Sequence, residues 1–169
     1  MAHEFTTSFI QDSIAVLKSS KILAERAMEQ TPDDGLFATL DSESNSIATI
    51  VKHLTGNMKS RWTDFLTTDG EKADRNRDAE FEAPAATRAE VMARWEQGWG
   101  YLFQALEGLS DADLGRRITI RNEPHSVMQA IHRQIWHTSY HTGQIVYLAK
   151  HFAGPNWKAI TIPKKKSGG

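Results

Sequence analysis

Four long segments of this chain carry apolar residues at helical spacing, and each ends at a helix breaker or a polar stretch. The first runs from about Thr7 to Glu29, where Ile10, Ile14, Leu17, Ala24 and Met28 form one stripe. The cluster Thr31-Pro32-Asp33-Asp34-Gly35 stops it. The second runs from about Ser46 to Leu66, with Ile47, Ile50, Val51, Leu54, Met58, Trp62 and Phe65 on its stripe. Asn45 or Ser46 is placed to cap it by accepting a free backbone amide. A third starts at Thr87, where Thr87-Arg88-Ala89-Glu90 fits a capping box. Val91, Trp95, Leu102 and Leu106 carry its stripe to about Leu106, and Gly108 with Ser110-Asp111 breaks it. The fourth begins near His125 or Ser126, after Pro124, and runs to about Phe152, with Gly154-Pro155 as its stop. Its stripe is Ile131, Ile135, Thr138, Thr142, Ile145, Ala149 and Phe152.

Four helices, each apolar along one stripe, must bury those stripes against one another. The simplest arrangement is an all-α four-helix bundle. Ile118-Thr119-Ile120 alternates and suggests a short strand. The polar stretch Thr67 to Ala86, between the second and third helices, reads as an ordered loop or a linker. Loops of that length inside a compact domain are often functional. At 169 residues the chain fits one domain, assigned to residues 1–163, followed by a polar tail, 164–169.

Composition excludes several functions. Twenty Lys and Arg against 21 Asp and Glu leave a net charge of −1, so no global field draws the protein to nucleic acid or anionic lipid. No stretch is apolar enough to span a bilayer, and the N-terminus lacks a basic-then-apolar pattern, so a cytoplasmic protein without a membrane partner is expected. Cysteine is absent, which removes disulfides, Cys-ligated metals and an internal thiol nucleophile. Any metal must sit on His, Asp or Glu, and any thiol must come from outside.

Seven histidines remain as the main chemical signal. His137 and His141 stand one turn apart on the fourth helix, so both imidazoles can reach one ion. They can equally be two polar residues at the edge of a buried face. No Glu follows His137, so a HExxH protease motif is missing, and no ExxH occurs on any helix, so a paired di-iron layout is missing too. A site here is mononuclear and needs a further ligand. His53 in the second helix is the best candidate, although its position off the centre of the Ile50/Leu54/Met58 stripe also fits a buried-edge or exposed residue. His125 reads as a loop anchor, His132 as a surface or interface residue, and His151 as a structural residue in the last turn of its helix. His3 falls in the N-terminal segment.

His53, with His137-x-x-x-His141 followed by Thr142-Gly143-Gln144-Ile145, resembles the DinB/YfiT-like superfamily. The likeness is closest to a DinB subfamily of unassigned function. Asn45-Ser46-Ile47, Gly56-Asn57-Met58-x-x-Arg61-Trp62, Asp69-Gly70-Glu71-Lys72 and Arg75-x-Arg77-Asp78 add to it. So do Glu123-Pro124-His125-Ser126-Val127 and Arg133-Gln134, and the match spans nearly the whole chain. The resemblance implies an up-down-down-up bundle in which His53, His137 and His141 bind one divalent metal. Zinc comes first, with nickel, iron or manganese as alternatives. It also implies a homodimer, with a face on the first or second helix as the natural contact. Some relatives are thiol-dependent transferases or isomerases that use low-molecular-weight thiols.

Three imidazoles leave coordination positions open, the mark of a reactive site. Three functions follow: transfer of an external thiol to an electrophilic small molecule, hydrolysis by a metal-held hydroxide, or non-enzymatic metal binding in a stress response. Asn57, one turn after His53, Arg133, one turn before His137, and Gln144, three residues after His141, are candidates to orient a ligand or hold a substrate anion. Trp62, Trp95 and Trp99 either line a pocket or fill the core.

Overall fold

The computed structural model describes residues 6–82 and 87–163. His3, the tail 164–169 and the last residues of the 67–86 stretch lie outside the described residues. Four helices dominate: α1 (Phe9–Glu29), α2 (Ile47–Trp62), α3 (Arg88–Glu107) and α4 (Val127–Ala153). Between α3 and α4 lies an antiparallel hairpin of β1 (Arg117–Ile120) and β2 (Glu123–Ser126), in which Ile118 faces His125 and Ile120 faces Glu123.

The helix starts follow local chemistry. Ser8, Ser46, Thr87 and Ser126 each accept the amide three residues on, and Thr87 and Ser126 close full capping boxes with Glu90 and Gln129. Two boundaries differ from the periodic pattern. α2 stops at Trp62, four residues before Leu66. Thr63 turns extended and Asp64 takes a left-handed φ of 47°, after which the Thr67 and Thr68 amides fold back onto the Asp64 carbonyl. Phe65 nevertheless stays buried, so the apolar pattern outruns the helix. α4 starts at Val127 because residues 123–126 pair with β1. His125 therefore belongs to β2 rather than to the helix, and its Nδ1 lies 3.0 Å from the Glu123 carbonyl.

α2 packs chiefly on α3, and α1 on α4, with a narrower α2–α4 contact. Lys18 lies beside Glu107, the Trp95 indole donates to Glu25, and an Arg88 guanidinium N–H donates to the Met28 carbonyl, which ties α1 along α3. Thr55 Oγ1 donates to the Arg94 carbonyl, and the Trp62 indole donates to Gln134 Oε1 at 2.9 Å. One apolar cluster joins Leu17, Met28, Leu54, Trp95, Trp99, Leu102, Ile131 and Ile145 with their neighbours. Trp62, Trp95 and Trp99 are all buried in it, so they are core residues. Among the described residues no helix is long and apolar enough to cross a membrane.

Most of the large exposed apolar residues that stand on a helix belong to α4. Trp136, Tyr140 and Tyr147 lie at spacings of four and seven, with Met128 on the same helix. None is on α1 or α2, where a contact face was expected.

Candidate metal centre

α2 and α4 approach each other where His53, His137 and His141 project between them. One ring nitrogen from each lies within 4.8 Å of the others. His53 Nε2 and His137 Nε2 are 3.2 Å apart. Two ligands at about 2.05 Å from one ion in tetrahedral geometry stand about 3.3 Å apart, so this separation suits two imidazoles sharing a metal. The ring centroids of His137 and His141 are 4.6 Å apart, as one helical turn dictates.

Burial makes these groups ready to coordinate. It pushes the His137 imidazole down to about 3, helped by the neighbouring His141, His53, Arg61 and Arg75. It pushes His141 down to about 4, against the opposing hydrogen bond to Gln144 and with help from His53. Both rings are thus neutral at neutral pH, and neutral imidazole is the form that binds metal.

Outer partners hold two of the three rings. His53 Nδ1 donates to Glu80 Oε2 at 2.9 Å, which fixes the tautomer that leaves Nε2 free to coordinate. His141 Nδ1 donates to Gln144 Oε1 at 2.7 Å. His137 Nδ1 is buried and has no hydrogen-bond partner. The donor set fits a divalent ion: three ring nitrogens converge, and two of the rings are braced from behind.

Glu80 is itself braced. Arg75 grips it with two parallel bonds, Nε to Oε1 at 2.7 Å and Nη2 to Oε2 at 2.8 Å. Burial pulls the Glu80 carboxyl up, but His53 and Arg75 outweigh it and hold it below the usual range. Arg75 also reaches Glu71 at 3.1 Å, and Glu71 in turn meets Arg121 at 3.2 Å. Space for Glu80 comes from Gly56: a Cβ there would stand 2.2 Å from Glu80 Oε1. The stretch after α2 is therefore an ordered loop, at least to Glu82, and it supplies a partner to the metal centre.

A cavity of about 240 Å³ opens beside the histidines, lined by His53, His137, Asn57, Arg133 and Gln134 among others. Of the candidate orienting residues, Gln144 touches a ligand ring, whereas Asn57 and Arg133 line the cavity without bonding to a histidine. His132 is exposed at 5.0 Å from the Phe9 ring, and His151 is exposed near the end of α4. Neither joins the group. Sequence reasoning missed Glu80, and it named Arg75 only within a family motif, without its role as the brace of Glu80. Their trace was Gly56, a lone glycine inside a strong helical pattern, which marks a close approach of another chain segment.

No curated protein and no solved structure matches the chain. Residues 4–166 match a family described as "Protein of unknown function (DUF1572)". With nearly its whole length inside that match, the chain belongs to this family of unknown function.

Proposed function

We propose that His53, His137 and His141 are the ligands of one divalent metal, zinc before nickel, iron or manganese, in a DinB-like bundle that transfers an external thiol to an electrophilic small molecule. The observation that carries the metal reading is the convergence of three imidazole nitrogens within 4.8 Å, on rings braced by Glu80 and Gln144. The antiparallel run of α1 along α3 (Lys18 at Glu107, Glu25 at Trp95) and of α2 along α4 (His53 at His137, Trp62 at Gln134) supports an up-down-down-up order. A divalent ion held by three histidines supplies Lewis acidity and lowers the pKa of a thiol or water in its open position. The chain's own residues keep the His137 and His141 imidazoles neutral, fix the ring of His53 and present a polar cavity at the open side. In the transfer, the external thiol would give its proton to solvent and its sulfur would bond to the electrophilic carbon, which releases a leaving group with its electron pair, to be protonated by solvent in turn.

The thiol reading draws on the absence of Cys, which leaves no internal thiolate to close the site, and on the DinB likeness. Metal-hydroxide hydrolysis and non-enzymatic metal binding are its rivals. Metal analysis of the purified protein, followed by thiol titration of the cobalt-substituted form, separates them. The proposal expects a sulfur-to-metal charge-transfer band and a thiol pKa well below about 8.5. A hydrolase predicts that thiol inhibits turnover, and a closed site predicts no spectral change. A homodimer belongs to the same reading. The exposed Trp136/Tyr140/Tyr147 stripe is its best face, and a sedimentation profile with only a 19.0 kDa species removes it.

A further inference from the structure

Five arginines line the cavity beside the three histidines: Arg61, Arg75, Arg77, Arg121 and Arg133. The carboxylates paired to them are two, Glu71 and Glu80. Five guanidinium groups around one opening therefore share two paired carboxylates. Arg77 rests over the Phe81 ring at 5.7 Å and has no ion pair, and Arg133 has no carboxylate partner among the described residues.

Arg61 is the most telling member. It projects from α2, is only 7% exposed, and its Nε is buried without any hydrogen-bond partner. Its one ion-pair partner among the described residues, Glu71, is 3.9 Å away and shared with Arg75 and Arg121. A buried guanidinium without a close partner is costly, and replacement by an apolar side chain would remove that cost. Burial, and then the charge of Arg133, push its pKa down to about 10, so the like charges of the cluster work against one another.

Arg121 is placed at comparable expense. It and Asn122 form the two-residue turn of the hairpin with φ of 57° and 62°, a left-handed turn that normally favours glycine in its second position. Asp69 holds that turn by accepting the Arg121 and Asn122 amides, each at 2.8 Å. Burial pulls the Asp69 carboxyl up, and the amides of Glu71, Asn122 and Arg121 overcome it and hold it at about 2. The loop after α2 and the hairpin are thus pinned together with an arginine aimed at the same opening from each.

From this geometry we infer an oxyanion-binding site, built by Arg61, Arg121 and Arg133, that takes the carboxylate or phosphate group of a small-molecule substrate and holds the rest of it beside the three histidines. Guanidinium planes match both groups through paired N–H bonds. A cavity of about 240 Å³ suits a small molecule. This deepens the metal reading and rests on it only for the substrate's far end.

Calorimetric titration of inorganic phosphate, and separately of malonate, into the full chain tests the site in metal-stripped and zinc-loaded forms. Saturable binding of either anion to the metal-stripped protein at millimolar concentration or below is expected. Arg133→Gln, an exposed position, should weaken it at least about tenfold by removing one charge-assisted contact. Arg61→Gln should do the same in a protein whose circular dichroism is unchanged. The tighter anion names the group recognised. No saturable binding in either form overturns the inference, as does binding that needs zinc and ignores Arg133→Gln, because the anion then sits on the metal alone. Arginine-dependent binding in a chain that fails to load zinc keeps the anion site and removes the metal reading instead.

Discussion

Two layers of the bundle solve the problem of burial in opposite ways. Between α1 and α3, Trp95 and Trp99 meet edge to face at 5.4 Å and Trp99 stacks on Phe103 at 5.3 Å, with Leu102 and Leu106 completing an apolar filling. Its polar groups are few: the Trp95 indole donates to Glu25, and the buried Trp99 Nε1 has no hydrogen-bond partner. Between α2, α4 and the loop after α2, the filling is polar: His53, Glu80, Arg75 and Glu71 form one continuous chain of hydrogen bonds and ion pairs. An apolar layer is held by area removed from water, whereas a buried polar layer is tolerable only if each group finds a partner. Five buried polar atoms lack one among the described residues: Thr63 Oγ1, Trp99 Nε1, Thr142 Oγ1, His137 Nδ1 and Arg61 Nε; the last two belong to residues that line the cavity. The first layer is built to be stable and the second to be occupied.

The contrast breaks most visibly in the apolar layer. Trp95→Ala should cost about 3–5 kcal/mol of unfolding free energy, the range for a buried Trp truncated to Ala. Urea denaturation measures it. Metal content per folded molecule should stay unchanged, since no part of Trp95 reaches the histidines. A matching loss of metal in the folded fraction would show that the two layers are one unit.

Substitution in the polar layer should do the reverse. His53→Ala, His137→Ala and His141→Ala should each reduce bound metal by more than about 100-fold, beyond the roughly 10- to 100-fold that loss of an outer partner costs. Elemental analysis after dialysis reads this, with His132→Ala and His151→Ala as controls that keep full metal. Glu80→Ala should fall within the outer-partner range, because it removes the acceptor at His53 Nδ1 and leaves Arg75 without its two-bond partner. Full occupancy in the His53 variant takes that residue out of the site.

Acid should also distinguish the layers. In the metal-free protein, His137 and His141 titrate at about 3 and 4, whereas in the unfolded chain they titrate near 6.5. Between these values the unfolded state binds protons that the native state does not, so stability falls as pH drops below about 6.5 and is unaffected above it. The urea midpoint should decline over that interval, and the decline should shrink in His137→Gln/His141→Gln. An identical slope in the double variant would place the acid sensitivity elsewhere.

The helical stripes were legible because each has a single dry face: all seven apolar positions assigned to α2 are buried, from Ile47 to Phe65. The end of α2 was not, since Asp64 breaks the helix through a left-handed backbone that neither Gly nor Pro announces. His137 and His141 were legible through their one-turn spacing. His53 was readable only as a candidate, because a helical wheel cannot say that Glu80 will draw its ring inward. Glu80 and Arg75 were hidden for a plainer reason. They bond each other within a loop that has no periodic pattern, and the group they brace, His53, lies 27 residues before Glu80 on another segment, so no local spacing points from them to the site.

The smallest effect is also the sharpest test of the two-layer view, because it compares two glycines in helix interiors. Gly100 in α3 is exposed, and a Cβ there meets nothing within 4 Å. Gly100→Ala should stabilise the protein by about 0.5–1 kcal/mol, the helix-interior penalty of glycine. Gly56 in α2 carries the same penalty, yet its missing Cβ is the space that Glu80 occupies, with Oε1 2.2 Å from where the carbon would be and Cδ at 2.7 Å. Glu80 is locked by His53 and Arg75 and cannot swing aside without breaking those bonds. Gly56→Ala should therefore yield no gain in stability and should weaken metal binding toward the Glu80→Ala value. If Gly56→Ala instead stabilises as much as Gly100→Ala and keeps its metal, Glu80 has room to move, and the carboxylate is a surface neighbour of His53 rather than the brace that orients it.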